Sequence, residues 1–575
     1  MKSSSHATRA TRATHATRAT RAARICPGAI STNNTKIFLS FSCFILPLLL
    51  FIIAALSPLR ADVQLAMPFG DGAVLQRDKP IDIWGQADPG ENVSVSFASH
   101  TVTVTATATA DAGGRWRVRL PALAANATPA DMVITGKNTV ILKNLLIGDV
   151  WLCAGQSNMV WKVNASDNAT AEMAAADYPG IRLLRIDRVI SDEPAATAVG
   201  DAETGGGWRV CTPNMIWTYS AVAYFFARDI YKATGVPIGI IQVSWSGAAI
   251  ESFMSVETLA GDPAFAVVRK RWQKTLAATP DAKGGRDQPS GIYNGMVAPL
   301  APCGLRGFLW YQGEANAKRS DEYHALFASL ITSWRAAFQQ GDLPFYWVQL
   351  PNFKDGNGSS RARAFLREAQ ERALSFPATG QAVTIDIGDP DNEHPTNKQE
   401  VSRRLSLIAL ANDYNNSVVW QNPRFVSARP EGAGMRVTLE HSKGLAAIGD
   451  ALPSFEVAGA DRQFYPASMK IEHTADESTL FVSSPQVTAP VAVRYAWFND
   501  PRATLRNDAG LPLAPFRNDN WGPATIVPVP VRPNASAPYV ISGIYSVRVE
   551  DAGGAGVYAD VDTHAHNVSY PSSAG

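Results

Sequence analysis

Between residue 62 and about residue 144, apolar and polar positions alternate with a period of two in short runs such as Pro80–Trp84, Val93–Phe97 and Thr101–Thr109, broken by Asp-Pro-Gly and Ala-Gly-Gly turns. This pattern predicts an N-terminal β-sandwich domain, 62–144. From 145 to about 414 the texture changes. Short apolar runs at Asp149–Ala154, Ile238–Trp245, Gly307–Tyr311, Phe345–Leu350 and Ala382–Ile387 alternate with stretches whose apolar residues recur at three and four: Ala221–Thr234, Glu322–Phe338, Ala362–Leu374 and Lys398–Asn412. Strands alternating with helices predict an α/β domain, 145–414, whose parallel sheet is covered by helices on both faces. Period-two runs return in 415–520, at Arg436–Leu439, Thr479–Ser483 and Val491–Trp497, and predict a β-rich subdomain. Residues 521–575 read as a Pro-rich linker followed by a C-terminal β extension around Val540–Val549.

The first 61 residues follow neither period. They contain eight Lys/Arg and no acidic residue, with Ala-Thr-Arg and Ala-Thr-His repeats, and then an apolar run over 37–56 that ends in Leu59-Arg60-Ala61. A basic tract, an apolar stretch and a small residue at the end predict a signal peptide and an exported, periplasmic or extracellular protein. An uncleaved N-terminal membrane anchor is the alternative, weakened by Ser40, Ser42 and Pro47. With 52 basic and 51 acidic residues in total, removing this leader leaves a mildly acidic chain, and nothing points to nucleic acid as a partner. Cys153, Cys211 and Cys303 remain after the leader, enough for at most one internal disulfide of undetermined pairing. No Cys-x-x-Cys and no His-Glu-x-x-His is present, so neither a structural zinc nor a zincin site is expected. Oligomeric state is not legible.

In an open parallel sheet the ligand site lies beyond the carboxyl ends of the strands. There the sequence turns polar: Gly155-Gln156-Ser157-Asn158-Met159 after the first strand, Ser246-Gly247 after the second, Gln312-Gly313-Glu314 after the third, and Gly388-Asp389-Pro390-Asp391-Asn392-Glu393-His394 after the last. A serine nucleophile requires a base to take its proton and an acid to orient the base. Of the seven histidines beyond the leader, His324 falls in a helical pattern and His564 and His566 near the terminus. His100, His441 and His473 fall in β-rich segments, and His394 alone follows a strand of the α/β core. Asp391, three residues earlier, is placed to hold its Nδ1 proton while Nε2 faces Ser157. Taken singly, Ser157 reads as a helix N-cap, His394 as a structural histidine and Asp391 as a turn residue. Their convergence at one end of one sheet favours chemistry. Gly-Gln-Ser-Asn-Met lacks the second glycine of Gly-x-Ser-x-Gly, so the elbow of α/β-hydrolases is excluded.

Asp149-Val150-Trp151-Leu152-Cys153-Ala154-Gly155-Gln156-Ser157-Asn158-Met159, Trp310-Tyr311-Gln312-Gly313-Glu314-Ala315-Asn316 and Asp391-Asn392-Glu393-His394-Pro395-Thr396-Asn397-Lys398 together resemble the sialate O-acetylesterases, carbohydrate esterases of the SGNH-hydrolase superfamily. Ser220–Ala227 and Tyr293–Leu300 add to the resemblance, which runs from about Asp62 to Asn520. It implies an SGNH-hydrolase-like parallel sheet with flanking β-sandwich-type domains, Ser157 as nucleophile, His394 as base and Asp391 as orienting acid. It also implies an oxyanion hole from the Ser157 N–H, the Gly247 N–H and the Gln312 side-chain amide. Gln156, Asn158, Trp245, Glu314 and Asn294 are the candidate substrate contacts, and Trp151, Trp161, Trp310 and Tyr311 are nearby aromatics. The chain departs from the family pattern in Trp245-Ser246-Gly247-Ala248, where Trp-Gly-Gly-Thr is common, and in Glu393, where the residue before the histidine is usually apolar.

The implied reaction needs no cofactor: Ser157 attacks an acetyl ester on a sugar hydroxyl, the sugar leaves, and water releases acetate. The preferred substrate is O-acetylated sialic acid. An acetylxylan or other polysaccharide acetyl esterase is the alternative, because the catalytic groups touch only the ester and fold and triad do not choose the sugar. Sialate calls for a cationic clamp on its carboxylate, for which Arg306, Lys318, Arg319 and Arg361 are candidates against their reading as solvated surface. A non-catalytic carbohydrate-binding protein is the alternative from another class, disfavoured by a complete Ser157, His394 and Asp391.

Overall fold

The computed structural model describes residues 62–98, 103–355, 361–449 and 454–522, together with two strands at Ile544–Glu550 and Gly556–Asp562. The leader, with its expected signal or anchor, the Pro-rich linker, and His100, His564 and His566 lie outside the described residues.

The strand Thr139–Gly155 organises the molecule. Its first half pairs antiparallel with Asn126–Thr135, which continues to Asn92–Ala98 and Thr103–Thr109. Its second half, from Asp149, lies parallel between Ile238–Ser244 and Gly307–Tyr311. The N-terminal β-sheet and the central parallel sheet therefore share one strand, and the domain boundary expected at 144/145 falls inside it. Across the parallel sheet the order is Tyr178–Arg185, Ile238–Ser244, Thr139–Gly155, Gly307–Tyr311, Phe345–Val348 and Thr379–Ala382, with the short Arg209–Cys211 antiparallel at one edge.

The strands that build this sheet are almost wholly apolar, as a sheet buried on both faces demands. Trp151, Trp310 and Trp347 on its strands are completely buried. Helices Ala221–Thr234 and Lys398–Asp413 pack on one side with Trp151 and Tyr311. Ser320–Phe338 contributes Leu326, Phe327, Leu330 and Trp334 to the other large core. Ala221–Thr234 is capped at one end by the Ser220 hydroxyl, which accepts from Ala223 N at 3.2 Å, and stops at Gly235, whose φ is +68°. Ser320–Phe338 and Ala362–Arg372 match the periodicity to within two residues. Cys153, Cys211 and Cys303 are buried free thiols.

One expected strand is displaced. Ala382–Ile387 reads as a strand, yet pairing runs over Thr379–Ala382 and ends there. Val383 and Ile385 instead enter the core of a separate antiparallel sheet with Leu445, Tyr495 and Leu505. That sheet has seven strands, ordered Arg424–Glu431, Gly434–Glu440, Ser478–Ser483, Phe464–His473, Phe455–Ala458, Ala492–Tyr495 and Phe516–Arg517. The apolar run therefore serves two cores in succession, which periodicity along one segment does not reveal. The two C-terminal strands pair antiparallel with each other.

Candidate active site

Three parallel strands end side by side. Gly155 is in register with Ser244 on one neighbour and with Tyr311 on the other. The polar segments that follow, from Gln156, Trp245 and Gln312, are thereby delivered to one place at the carboxyl end of the sheet. Gly155 has φ +143°, and a Cβ there would lie 2.1 Å from the Tyr311 carbonyl oxygen, so only glycine allows the approach.

Ser157 opens the short helix Ser157–Val160, whose N-cap is Gln156. Ser157 is thus a residue of the helix rather than its cap. Its hydroxyl is half-buried and has no hydrogen-bond partner among the described residues. The Gln156 side chain turns away into the next segment, where Oε1 accepts from Ala315 N at 3.1 Å and Gly313 N at 3.5 Å. Its role is to brace the Gly313–Ala315 turn.

Asn158 is fully buried and joins all three motifs. Its Nδ2 donates to Glu314 Oε1 at 2.6 Å and to the Glu393 carbonyl at 3.0 Å, while its Oδ1 accepts from Lys398 Nζ at 2.5 Å. The contact with Glu393 ties the segment that carries Ser157 to the segment that carries His394. Lys398 is at the first position of its helix because Asn397 caps it, accepting from Glu400 N at 3.1 Å. Burial pushes the Lys398 ammonium down to about 7, opposed by the Glu314 carboxylate. Burial likewise raises Glu314, opposed by Arg363, and its Oε2 is shut from water without a partner among the described residues.

His394 is half-buried and stacks on Trp161, with ring centroids 5.2 Å apart and planes 13° from parallel. Its Nε2 is buried and has no partner among the described residues. Burial lowers its pKa from the ordinary 6.5; Glu393 opposes this, and Lys398 and Arg363 add to it. Glu393, whose position departs from the family pattern, forms an ion pair with the buried Arg363. Asp391 is exposed on the same loop and makes no hydrogen bond to His394 among the described residues; its backbone N–H donates to Asp389 Oδ1.

The turn after Ile238–Ser244 is tied to the strand that precedes Ser157 by Trp245 N donating to Gly155 O at 3.0 Å. Gly247 takes φ +75°. The N–H groups of Ser157, Ser246 and Gly247 find no acceptor among the described residues. Gln312 differs from the expectation of a third free donor. It is fully buried, its Nε2 donates to Asn316 Oδ1 at 2.7 Å and Ala248 O at 3.3 Å, and its Oε1 accepts from Tyr323 at 3.0 Å. A buried amide must be satisfied, and here its partners are protein. Asn316 in turn donates to Glu251, which binds Arg271 and Arg319.

The other expected contacts divide. Trp245 is half-buried at the site, whereas Asn294 is buried and donates to the Ser191 and Asp192 carbonyls, so it holds a loop. Trp151 and Trp310 are core residues, and Tyr311 is buried beneath Lys398. Of the four cationic candidates, Arg306 precedes the Gly307–Tyr311 strand, at the opposite end of the sheet, and lies over Tyr414. Arg319 pairs with Glu251 at 3.0 Å, and Arg361 with Glu456 at 2.7 Å. Lys318 is exposed. Arg363 and the role of Lys398 escaped the sequence reading; the signal available was only that Lys398 ends the third motif.

A family model described as carbohydrate esterase, sialic acid-specific acetylesterase, matches residues 147–407. The sialate O-acetylesterase of Mus musculus is 28% identical over 76% of this chain and 90% of its own, and that of Homo sapiens 29% identical over 72% and 83%. A solved carbohydrate acetylesterase from Xanthomonas citri is 38% identical with a TM-score of 0.71, covering 80% of this chain and all of that one.

Proposed function

The chain belongs to the sialate O-acetylesterase family of carbohydrate esterases and is a carboxylic ester hydrolase, and from that premise we propose that it removes acetyl groups from O-acetylated sialic acid by a serine acyl-enzyme mechanism on an SGNH-hydrolase-type sheet. What supports the mechanism is that the Ser157 hydroxyl and His394 Nε2 each lack a hydrogen-bond partner among the described residues, on segments joined through Asn158 Nδ2 and the Glu393 carbonyl.

His394 takes the proton as Ser157 Oγ attacks the acetyl carbonyl. The Ser157 and Gly247 N–H groups, which have no acceptor among the described residues, stabilise the negative oxygen of the tetrahedral intermediate, with Gln312 bracing Ala248 beside them. His394 returns the proton to the departing sugar hydroxyl, and a water then repeats the sequence to release acetate. Lowering of the imidazole pKa by burial keeps it neutral, hence basic, at pH 7. Asp391, three residues before His394 on the same exposed loop, is the carboxylate we assign to orienting the base. The basic tract and apolar run before residue 62 support export to the periplasm or the medium.

The test is acetate release by residues 62–575 and by the Ser157→Ala variant from O-acetylated sialic acid and from acetylated xylan in parallel. Ser157-dependent release from sialate is the expected outcome. Release from xylan alone leaves the mechanism and replaces the substrate, and full activity in Ser157→Ala overturns the mechanism.

A further inference from the structure

A sugar carboxylate calls for a cation at the rim of the site, and three of the four cations named from sequence are remote, paired or both. Two other guanidinium groups are better placed. A Cβ on Gly247 would lie 2.9 Å from Arg286 Cζ, so the Arg286 guanidinium rests directly on this glycine. Arg188 Cζ lies 6.0 Å from the ring centroid of Trp245, which opens the same turn. That turn is hydrogen-bonded to Gly155, two residues before Ser157.

Neither arginine is neutralised tightly. Arg188 has no ion pair among the described residues; its own backbone N–H donates to Asp187 Oδ1. Arg286 faces only Asp287 among the described acidic residues, at 3.9 Å, with half of its side chain exposed. The loops that carry them are stitched together. Asp192 pairs with Lys283 at 2.9 Å and accepts from Gln288 at 2.9 Å, so its charge is balanced within the stitch. Asn294 donates to the Ser191 and Asp192 carbonyls, and Ala195 N donates to Asn294 O at 2.9 Å. Such cross-linking fixes the loop backbones before a ligand arrives, which lowers the ordering cost of binding.

We propose that Arg188 and Arg286, held over the Trp245–Gly247 turn by the cross-linked loops 187–195 and 283–294, form a carboxylate-recognition rim that selects acidic O-acetylated sugars over neutral ones. The inference rests on the esterase reading above and assigns its selectivity. The planar guanidinium suits a carboxylate through two parallel N–H bonds, and the partly exposed Trp245 offers an apolar surface beside it.

The test compares kcat/KM for O-acetylated sialic acid with that for its carboxamide analogue, which keeps the acetyl ester and loses the charge. Because both are measured on one preparation, the ratio is insensitive to any loss of folded protein. Arg188→Gln and Arg286→Gln are each expected to lower the ratio about tenfold, and Arg286→Lys to restore part of it. A ratio unchanged in both variants, with acetate still released, overturns the rim alone. Binding of free sialic acid to the Ser157→Ala protein, measured by calorimetry, provides the separate reading. Arginine-dependent binding in a protein whose parent releases no acetate supports the rim and sinks the esterase reading, whereas binding indifferent to both arginines sinks the rim.

Discussion

The buried Lys398 ammonium donates to Asn158 Oδ1 at 2.5 Å, and this one bond fixes which way the Asn158 amide faces. With Oδ1 directed at the cation, Nδ2 is left to bind Glu314 and the Glu393 carbonyl, so the residue after Ser157 and the residue before His394 become a single hydrogen-bonded unit. Asn158→Ala would strand buried donors and acceptors on both sides, each costing about 1–3 kcal/mol. The expected outcome is a lower denaturation midpoint together with a fall in kcat of about 10²-fold, since small displacements of reacting groups cost that much. Wild-type kcat in a destabilised Asn158→Ala protein would show that Asn158 serves folding only.

Titration of His394, the proposed base, should be visible in the acid limb of kcat/KM. Because burial lowers His394 from 6.5, the limb is expected below pH 6.5, with activity lost as the imidazole protonates. Glu393 raises this pKa, so Glu393→Gln moves the limb to lower pH; Lys398 lowers it, so Lys398→Met moves the limb to higher pH. Stopped assays across pH 4–9 in the three proteins check both signs.

Lys398 also links stability to pH. Its folded value of about 7 lies below the ordinary 10.5, so between those limits the unfolded chain binds more protons than the folded one. This group therefore contributes rising stability as pH increases through that window, and the destabilisation is complete below about pH 7. Urea midpoints measured from pH 6 to 10 should show the slope in the wild type and a smaller one in Lys398→Met.

Asp391 and His394 differ in setting, one exposed and the other stacked on Trp161. His394→Ala should abolish acetate release, whereas Asp391→Ala should retain more activity, because in the proposed mechanism the aspartate only orients His394 and takes no proton. Trp161→Ala removes the stacked face and is expected to cost about 0.5–1.5 kcal/mol of ring positioning beyond its area, read as a several-fold loss of kcat with the fold intact. Equal activity in wild type and Trp161→Ala would deny the stacking any part in placing the base.

Asp386 ties the helix Lys398–Asp413 to the antiparallel sheet domain. It meets Arg404 at 2.6 Å and Arg506 at 2.8 Å, and its side chain is 1% exposed. Asp386→Ala leaves two guanidinium groups without this partner, and a loss of about 3–5 kcal/mol is expected by chemical denaturation. A change below about 1 kcal/mol would mean that Glu400, which also bonds Arg404, suffices.

Periodicity alone located the helices Ala221–Thr234, Ser320–Phe338 and Lys398–Asp413 to within two residues, and the strand Gly307–Tyr311 without error. These segments bury one continuous apolar face or run, so local pattern and global packing agree. The same logic singled out Ser157 and His394, because polar residues directly after apolar strands fall at the carboxyl end of a sheet wherever the strands are parallel. What lay beyond reach was any fact set by partners distant in the chain. Gln312 and Asn294 look like polar groups at a site, and only the surrounding residues, Asn316, Tyr323 and Asp192 among them, show that their amides are engaged. Val383 and Ile385 extend an apparent strand until a second core claims them. Arg188 and Arg286 stand 98 positions apart with nothing in the sequence to join them, and Lys398 is 240 positions from the asparagine it orients. The sequence determined which segments bury and which chemistry is present; the tertiary structure decided which polar groups remain free, because hydrogen-bond satisfaction and charge balance depend on neighbours that the fold alone supplies.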